Sequence, residues 1–236
     1  MILGNLWLIL NPILDVAVYA FIFGLVLRTS RGIDNFIGFL IIGVIFFSFF
    51  TRSVTAGSGL IQNSRALISS FSFPKASLAF SEFIRKLIDD AIPAIVAVLL
   101  ALISQFREPI SWKIIFVIPL YFLLHIFSLG IMLIVARATA FMPDLKPIVS
   151  LILRALFFCS GIFYSVEHFP AHNPIRLTME YNPVYKFLMA VRDSVLYNAT
   201  PDGNTWLVLC AWSIGAFAFG LIFFWKAEER YPRVQI

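Results

Sequence analysis

The sequence predicts an all-α polytopic membrane protein with six spanning helices, and three observations predict it. Apolar residues make up 60% of the 236-residue chain, more than a soluble core could bury. Charged residues are only 13%, against about a quarter in soluble domains, and the mean hydropathy is +0.90. The apolar residues also gather into six runs, about 3–27, 36–56, 77–104, 112–136, 147–164 and 205–225. Each is of the order of the ~20 residues a helix needs to cross a bilayer. The whole chain, 1–236, reads as one transmembrane domain.

Run one is kinked by Pro12 and carries Asp15 near its middle, where a charge costs about 2.5–3.5 kcal/mol. No basic stretch or small-residue cleavage site marks a cleavable leader. Run two is dense in phenylalanine. A polar, amphipathic stretch follows at about 59–72. Wound as a helix, it sets Leu60, Ile61, Ser64, Leu67, Ile68 and Phe71 on one face. Gln62, Asn63, Arg65, Ser69 and Ser70 fall on the other. Gly57 and Gly59 loosen its entry and Pro74 closes it. A helix so short and polar lies on the membrane face or docks on a partner, and docking is the reading adopted.

Run three is charged in its first half by Glu82, Arg85, Lys86, Asp89 and Asp90, and wholly apolar only from Ala91 to Ile103. The acidic pair beside Arg85 and Lys86 reads as a structural ion pair. Run four contains Pro119 and His125, the latter a buried, hydrogen-bonded histidine. Arg154 interrupts run five. It lies about 10 Å from Pro147 at 1.5 Å per residue, so it either snorkels to the interface, faces a wet channel or pairs with Asp15. The segment 165–204, with Pro170, Pro174, Pro183 and Pro201, reads as short helices dipping into the membrane edge. Run six has tryptophan at each end, and Ala211, Gly215, Ala216 and Gly220 give it small residues for close packing within the subunit.

Orientation follows from the cations. With both termini cytoplasmic, eleven of the eighteen Lys and Arg fall inside and seven outside. The amphipathic stretch is then cytoplasmic and 165–204 external. The net charge of +5 belongs to these loops, because no basic stripe on a soluble domain is present to track nucleic acid.

Motifs for covalent chemistry fail. There is no Gly-x-x-x-x-Gly-Lys-Ser/Thr loop, no His-Glu-x-x-His and no Gly-x-Ser-x-Gly turn. His168 and His172 have metal spacing, but Pro170 between them makes a regular helix doubtful, and no metal site is expected. Cys159 and Cys210 sit in apolar runs and read as free thiols. Asp15, Asp89, Asp90 and His125 are scattered over three runs, which argues against an intramembrane enzyme. What remains is movement across the membrane, driven from outside the chain. Aromatic side chains could stack on a passing sugar polymer. Trp7, Tyr19, Phe23, Phe157, Phe158 and Tyr164 are the candidates, with Asp15 and Arg154.

The sequence resembles the permease subunits of ABC transporters that export polysaccharides such as O-antigen, teichoic acid and actinobacterial galactan. The resemblance rests on Leu3-Gly-Asn-Leu-Trp7 with Asn11-Pro12, on Phe36 to Ser53, and on Asn63, Leu67-Ile68 and Phe73-Pro74-Lys75. It continues through Ser160-Gly-Ile-Phe-Tyr-Ser165, Pro170, Asn182-Pro183 and Arg192-Asp193. Thr29-Ser-Arg-Gly32, Thr51-Arg52-Ser53 and Ser160-Gly161 are most similar to the galactan branch.

The resemblance implies a homodimer in the bacterial plasma membrane, with two copies of a separate ATPase that alone holds ATP and magnesium. The stretch 59–72 would be the coupling helix, through Leu60, Ile61, Asn63, Ser64, Arg65, Leu67, Ile68 and Phe71. Spans one and five would line the path. Gly161, Phe163, Phe169, Pro170, Asn182, Pro183 and Tyr185 would form an external re-entrant gate. The cargo would be a glycan on a polyprenyl diphosphate lipid. A permease for a small lipid or drug, and an enzyme acting on lipid-linked sugars, are the alternatives. In one respect the sequence departs from the family pattern, which has an amphipathic cytoplasmic helix before span one. This sequence begins inside that span, which leaves an upstream start or one ATPase contact fewer as the expectations.

Overall fold

The computed structural model describes residues 33, 35–105, 111–166, 169–170 and 173–233, together with Leu10, Leu14, Ala17, Val18 and Phe21. Trp7, Asp15, Tyr19, Phe23, His168 and His172 lie outside the described residues. The helices are α1 (Phe36–Gly57), α2 (Leu60–Asn63), α3 (Arg65–Ser70), α4 (Ala76–Asp89) and α5 (Ala91–Ile103). They continue with α6 (Val117–Phe141), entered by the 3-10 turn Trp112–Phe116, then α7 (Leu145–Cys159), α8 (Pro174–Tyr181), α9 (Pro183–Val195) and α10 (Gly203–Trp225). A 3-10 turn, Glu228–Arg233, follows α10.

Three of these, Phe36–Gly57, Trp112–Phe141 and Gly203–Trp225, are long and apolar enough to cross a membrane, and they coincide with runs two, four and six. The ends of α1 and α10 are capped by side chains. Asn35 Oδ1 accepts the Gly38 N–H at 2.9 Å, and Asp202 Oδ1 accepts the Thr205 N–H at 3.0 Å. Hydrogen bonds from the Thr205 hydroxyl and amide hold the Asp202 carboxyl below its usual range.

Run three differs from its predicted single helix. Pro93 has no N–H to offer the Asp89 carbonyl, so the ladder is interrupted between α4 and α5. Asp90 keeps helical torsions there, and its carbonyl accepts the Ala94 N–H at 3.0 Å. The ion pair on α4 is Arg85 with Glu82 at 2.6 Å; Asp90 is buried at the junction. Run five is helical only to Cys159, because Gly161 takes a left-handed φ of 60° and turns the chain.

The chain divides into two compact units. One consists of the residues up to Ser48 with Ile88–Tyr121 and Leu156–Leu209. Its most buried element is α9, where Val184, Phe187, Leu188, Ala190, Val191 and Val195 are all covered. The other consists of Phe49–Leu87, Phe122–Ala155 and the residues from Cys210. There α6 and α10 meet backbone to backbone. A Cβ on Gly130 would collide with the Ala216 carbonyl, and one on Gly220 with the Gly130 carbonyl. Ser213 Oγ adds a hydrogen bond to the Leu123 carbonyl at 3.0 Å. Ala216 and Gly220 therefore pack inside the chain, while Ala211 and Gly215 lie on an exposed face of α10. His125 is buried with its ring 5.9 Å from that of Phe49.

Candidate functional site

The amphipathic stretch forms two short helices rather than one over 59–72. Ser64 leaves helical torsions (φ −95°, ψ 9°), and α3 ends at Ser70, before Pro74. The break aims Leu60, Ile61 and Ile68 into one buried cluster with Leu129, Met132, Leu133 and Phe224. It also separates the predicted face. Ile68 is 6% exposed, whereas Leu67 is 46% and Phe71 64% exposed, and Asn63 and Arg65 are exposed beside them. Ser64 is half-buried at the joint.

Two bonds fix this hairpin to α6, and a third ties the chain after it to the turn beyond α10. Thr139, fully buried near the end of α6, takes the Gly59 N–H on its hydroxyl at 3.2 Å and the Gln62 Nε2 on its carbonyl at 2.5 Å. Gly59 is left-handed, at φ 95°, a conformation that favours glycine. Beyond α10, Glu228 Oε1 accepts the Lys75 N–H at 2.8 Å, and the turn Glu228–Arg233 packs on α3. Tyr231 anchors that turn. Its hydroxyl donates to the Phe224 carbonyl at 2.8 Å and its ring lies 4.8 Å from that of Phe224. Burial pushes its phenol well above the usual range.

The second cluster surrounds the end of α7. Asn182 caps α9, its Oδ1 accepting the Val184 N–H at 3.0 Å with Pro183 at the first helical position. Its Nδ2 donates to Ser160 Oγ at 3.0 Å. A Cβ on Gly161 would press on the Tyr185 ring and Met179. Phe163 and Tyr185 are buried, Phe169 half-buried and Pro170 exposed. The ring of Phe157 meets those of Phe47, Phe158 and Phe163 at 5.3–5.4 Å. Tyr164 packs on Phe169 at 5.5 Å, and its hydroxyl donates to the Phe158 carbonyl. Phe158 and Arg154 are exposed along α7 with Ile148, Leu151 and Ile152, and Cys159 on this helix is a free thiol, as is Cys210.

Arg192, of the Arg192-Asp193 pair in the family resemblance, joins this cluster. It is fully buried on α9. Nε and Nη2 donate to the Phe39 carbonyl at 3.2 and 3.1 Å, and Nη1 donates to the Gly161 carbonyl at 2.9 Å. The guanidinium also lies over the Phe39 ring, 3.4 Å from its centre. Gly43, four residues after Phe39, leaves the space, since a Cβ there would strike Nη2.

Among the described residues no group of three or more His, Cys, Asp or Glu is placed to hold a metal. Over residues 2–196 the sequence matches the family model described as ABC-2 type transporter. The chain belongs to the ABC-2 type transporter family. It is a transporter permease, not an enzyme.

Curated relatives match this ABC-2 chain along most of their own length. It is 28% identical to an O-antigen export system permease protein of Klebsiella pneumoniae, over 98% of this chain and 87% of the relative. A second Klebsiella permease of that name is 30% identical, over 81% of this chain and 72% of the relative. A polysialic acid transport protein of Escherichia coli is 24% identical over 96% of this chain and 87% of the relative. Thr139 and Glu228 were not singled out from sequence, and Arg192 entered only within the Arg192-Asp193 pair of the resemblance, with no role of its own. Gly43, the small residue facing Arg192 inside a phenylalanine-rich run, was the signal available for the last.

Proposed function

We propose that this chain is the permease of a bacterial polysaccharide exporter, handling a glycan carried on a polyprenyl diphosphate lipid and driven by a separate ATPase subunit. The observation that carries the reading is the match along nearly the whole chain to permeases named for O-antigen export. Six spans, both termini in the cytoplasm and a homodimer complete the proposal. The ATPase holds the ATP and magnesium. It docks on Leu67, Phe71, Arg65 and Asn63, which are exposed, while Leu60, Ile61, Ser64 and Ile68 seat the coupling hairpin in its own subunit.

Force on α3 passes through Thr139 to the end of α6 and through the turn Glu228–Arg233 to the end of α10. A second copy covers the exposed side of α7, and the path runs along Arg154, Phe157, Phe158 and Tyr164 with Trp7, Asp15, Tyr19 and Phe23 of span one. Arg154 supports a wet or protein-covered face, since in lipid an arginine at mid-helix costs about 2.5–3.5 kcal/mol. The closing element at the outer end contains Gly161, Phe163, Phe169, Pro170, Asn182, Pro183 and Tyr185. The galactan branch is the proposed cargo class, from Thr29 to Gly32 and Ser160-Gly161.

Depletion in the native host tests the function. Lipid-linked glycan should build up inside the cell while surface polysaccharide falls. Unchanged glycan with an altered small-lipid or drug profile would contradict it.

A further inference from the structure

We infer that Arg192 is a positioning residue that holds the outer exit closed, by tying α9 to α1 and to the turn that ends α7; this rests on reading that turn as the exit.

A guanidinium removed from water carries a penalty of several kcal/mol unless its donors are met, and a long flexible side chain loses rotamer freedom as well. An aliphatic side chain would fill the same space with no charge to desolvate. The donors of Arg192 are met by backbone carbonyls of Phe39 and Gly161, with Ile162 O at 3.5 Å and Met189 Sδ at 3.8 Å.

Those acceptors are informative. Gly161 and Ile162 lie just past the C-terminus of α7, where a helix leaves carbonyls unmatched and its dipole favours a cation. Phe39 O lies inside α1, and Gly43 is what lets a second donor reach it. One planar fork thus spans three segments, as a lysine could not.

The two outer helices also differ. In α9 almost every apolar side chain is covered, and it packs on the turn Trp112–Phe116 and on α5. In α8, Met179 is buried, but Leu177, Thr178 and Tyr181 are exposed, Tyr181 at 77%, and the Arg176–Glu180 pair is internal to the helix. Arg192 therefore fixes the frame, α9, against the end of α7, and α8 is carried on that frame through Asn182.

The test reads ion leak through full-length permease in liposomes, without ATP, ATPase or glycan, using an ion-sensitive dye. Wild type should be tight. Arg192→Gln should leak several-fold faster, and Arg192→Lys should fall between them. Gly43→Ala decides the matter. Alanine is the better helix former, so the change favours α1 while its Cβ unseats Nη2. If Gly43→Ala leaks as Arg192→Gln does, the tie closes the exit. Tight Gly43→Ala liposomes, or a wild type that leaks as fast as the variants, would overturn the inference. Because no ATPase takes part, a failed ATPase association would sink the export reading without altering this measurement.

Discussion

Single residues set the geometry of the hairpin formed by α2 and α3. Gly59 turns the chain at a φ of 95°, and its N–H reaches the Thr139 hydroxyl from that turn. Gly59→Ala should lower stability by about 1–2 kcal/mol, because a side chain in the left-handed region is strained. Thermal unfolding of the detergent-solubilised protein reads this, and an unchanged midpoint would contradict it. Tyr231 makes a comparable local bond, to Phe224 O. Tyr231→Phe should cost about 1 kcal/mol, the usual net value of one hydrogen bond, on the same assay. An effect near zero would mean the hydroxyl finds water instead.

Elements show what periodicity can and cannot reveal. The long apolar runs gave α1, α6 and α10 directly, since length and hydropathy decide them. The amphipathic stretch was legible as a surface element, but its break at Ser64 was not, because a tertiary demand sets it. Leu60, Ile61 and Ile68 must all reach one cluster. That break separates adjacent residues in role. Leu67→Asp with Phe71→Asp should abolish ATPase co-purification at normal permease yield. Ile68→Asp should instead lower the yield of the permease itself, since it buries an unpaired charge. Equal yields and equal ATPase binding for the two would refute the division. The segment 165–204 was legible as short helices from its prolines, and Asn182-Pro183 announced the start of α9. The role of Arg192 was not legible, because its partners are carbonyls from segments about 30 and 150 residues away, which no local pattern encodes.

At the scale of the whole molecule, α7 carries Arg154 and Phe158 on an exposed side beside Ile148, Leu151 and Ile152. In the proposed homodimer that side would face a second copy across the path. On a background with Cys159 replaced by serine, Phe158→Cys should react with a water-soluble thiol reagent and be protected by lipid-linked glycan. Inaccessibility in both states would place the residue in lipid. If a separate ATPase drives this permease through α3, the two should co-purify from the native host under mild detergent. A stoichiometric ATPase is expected with wild type, and it should be lost from the Leu67→Asp, Phe71→Asp variant. A wild-type permease that brings down no ATPase would contradict it.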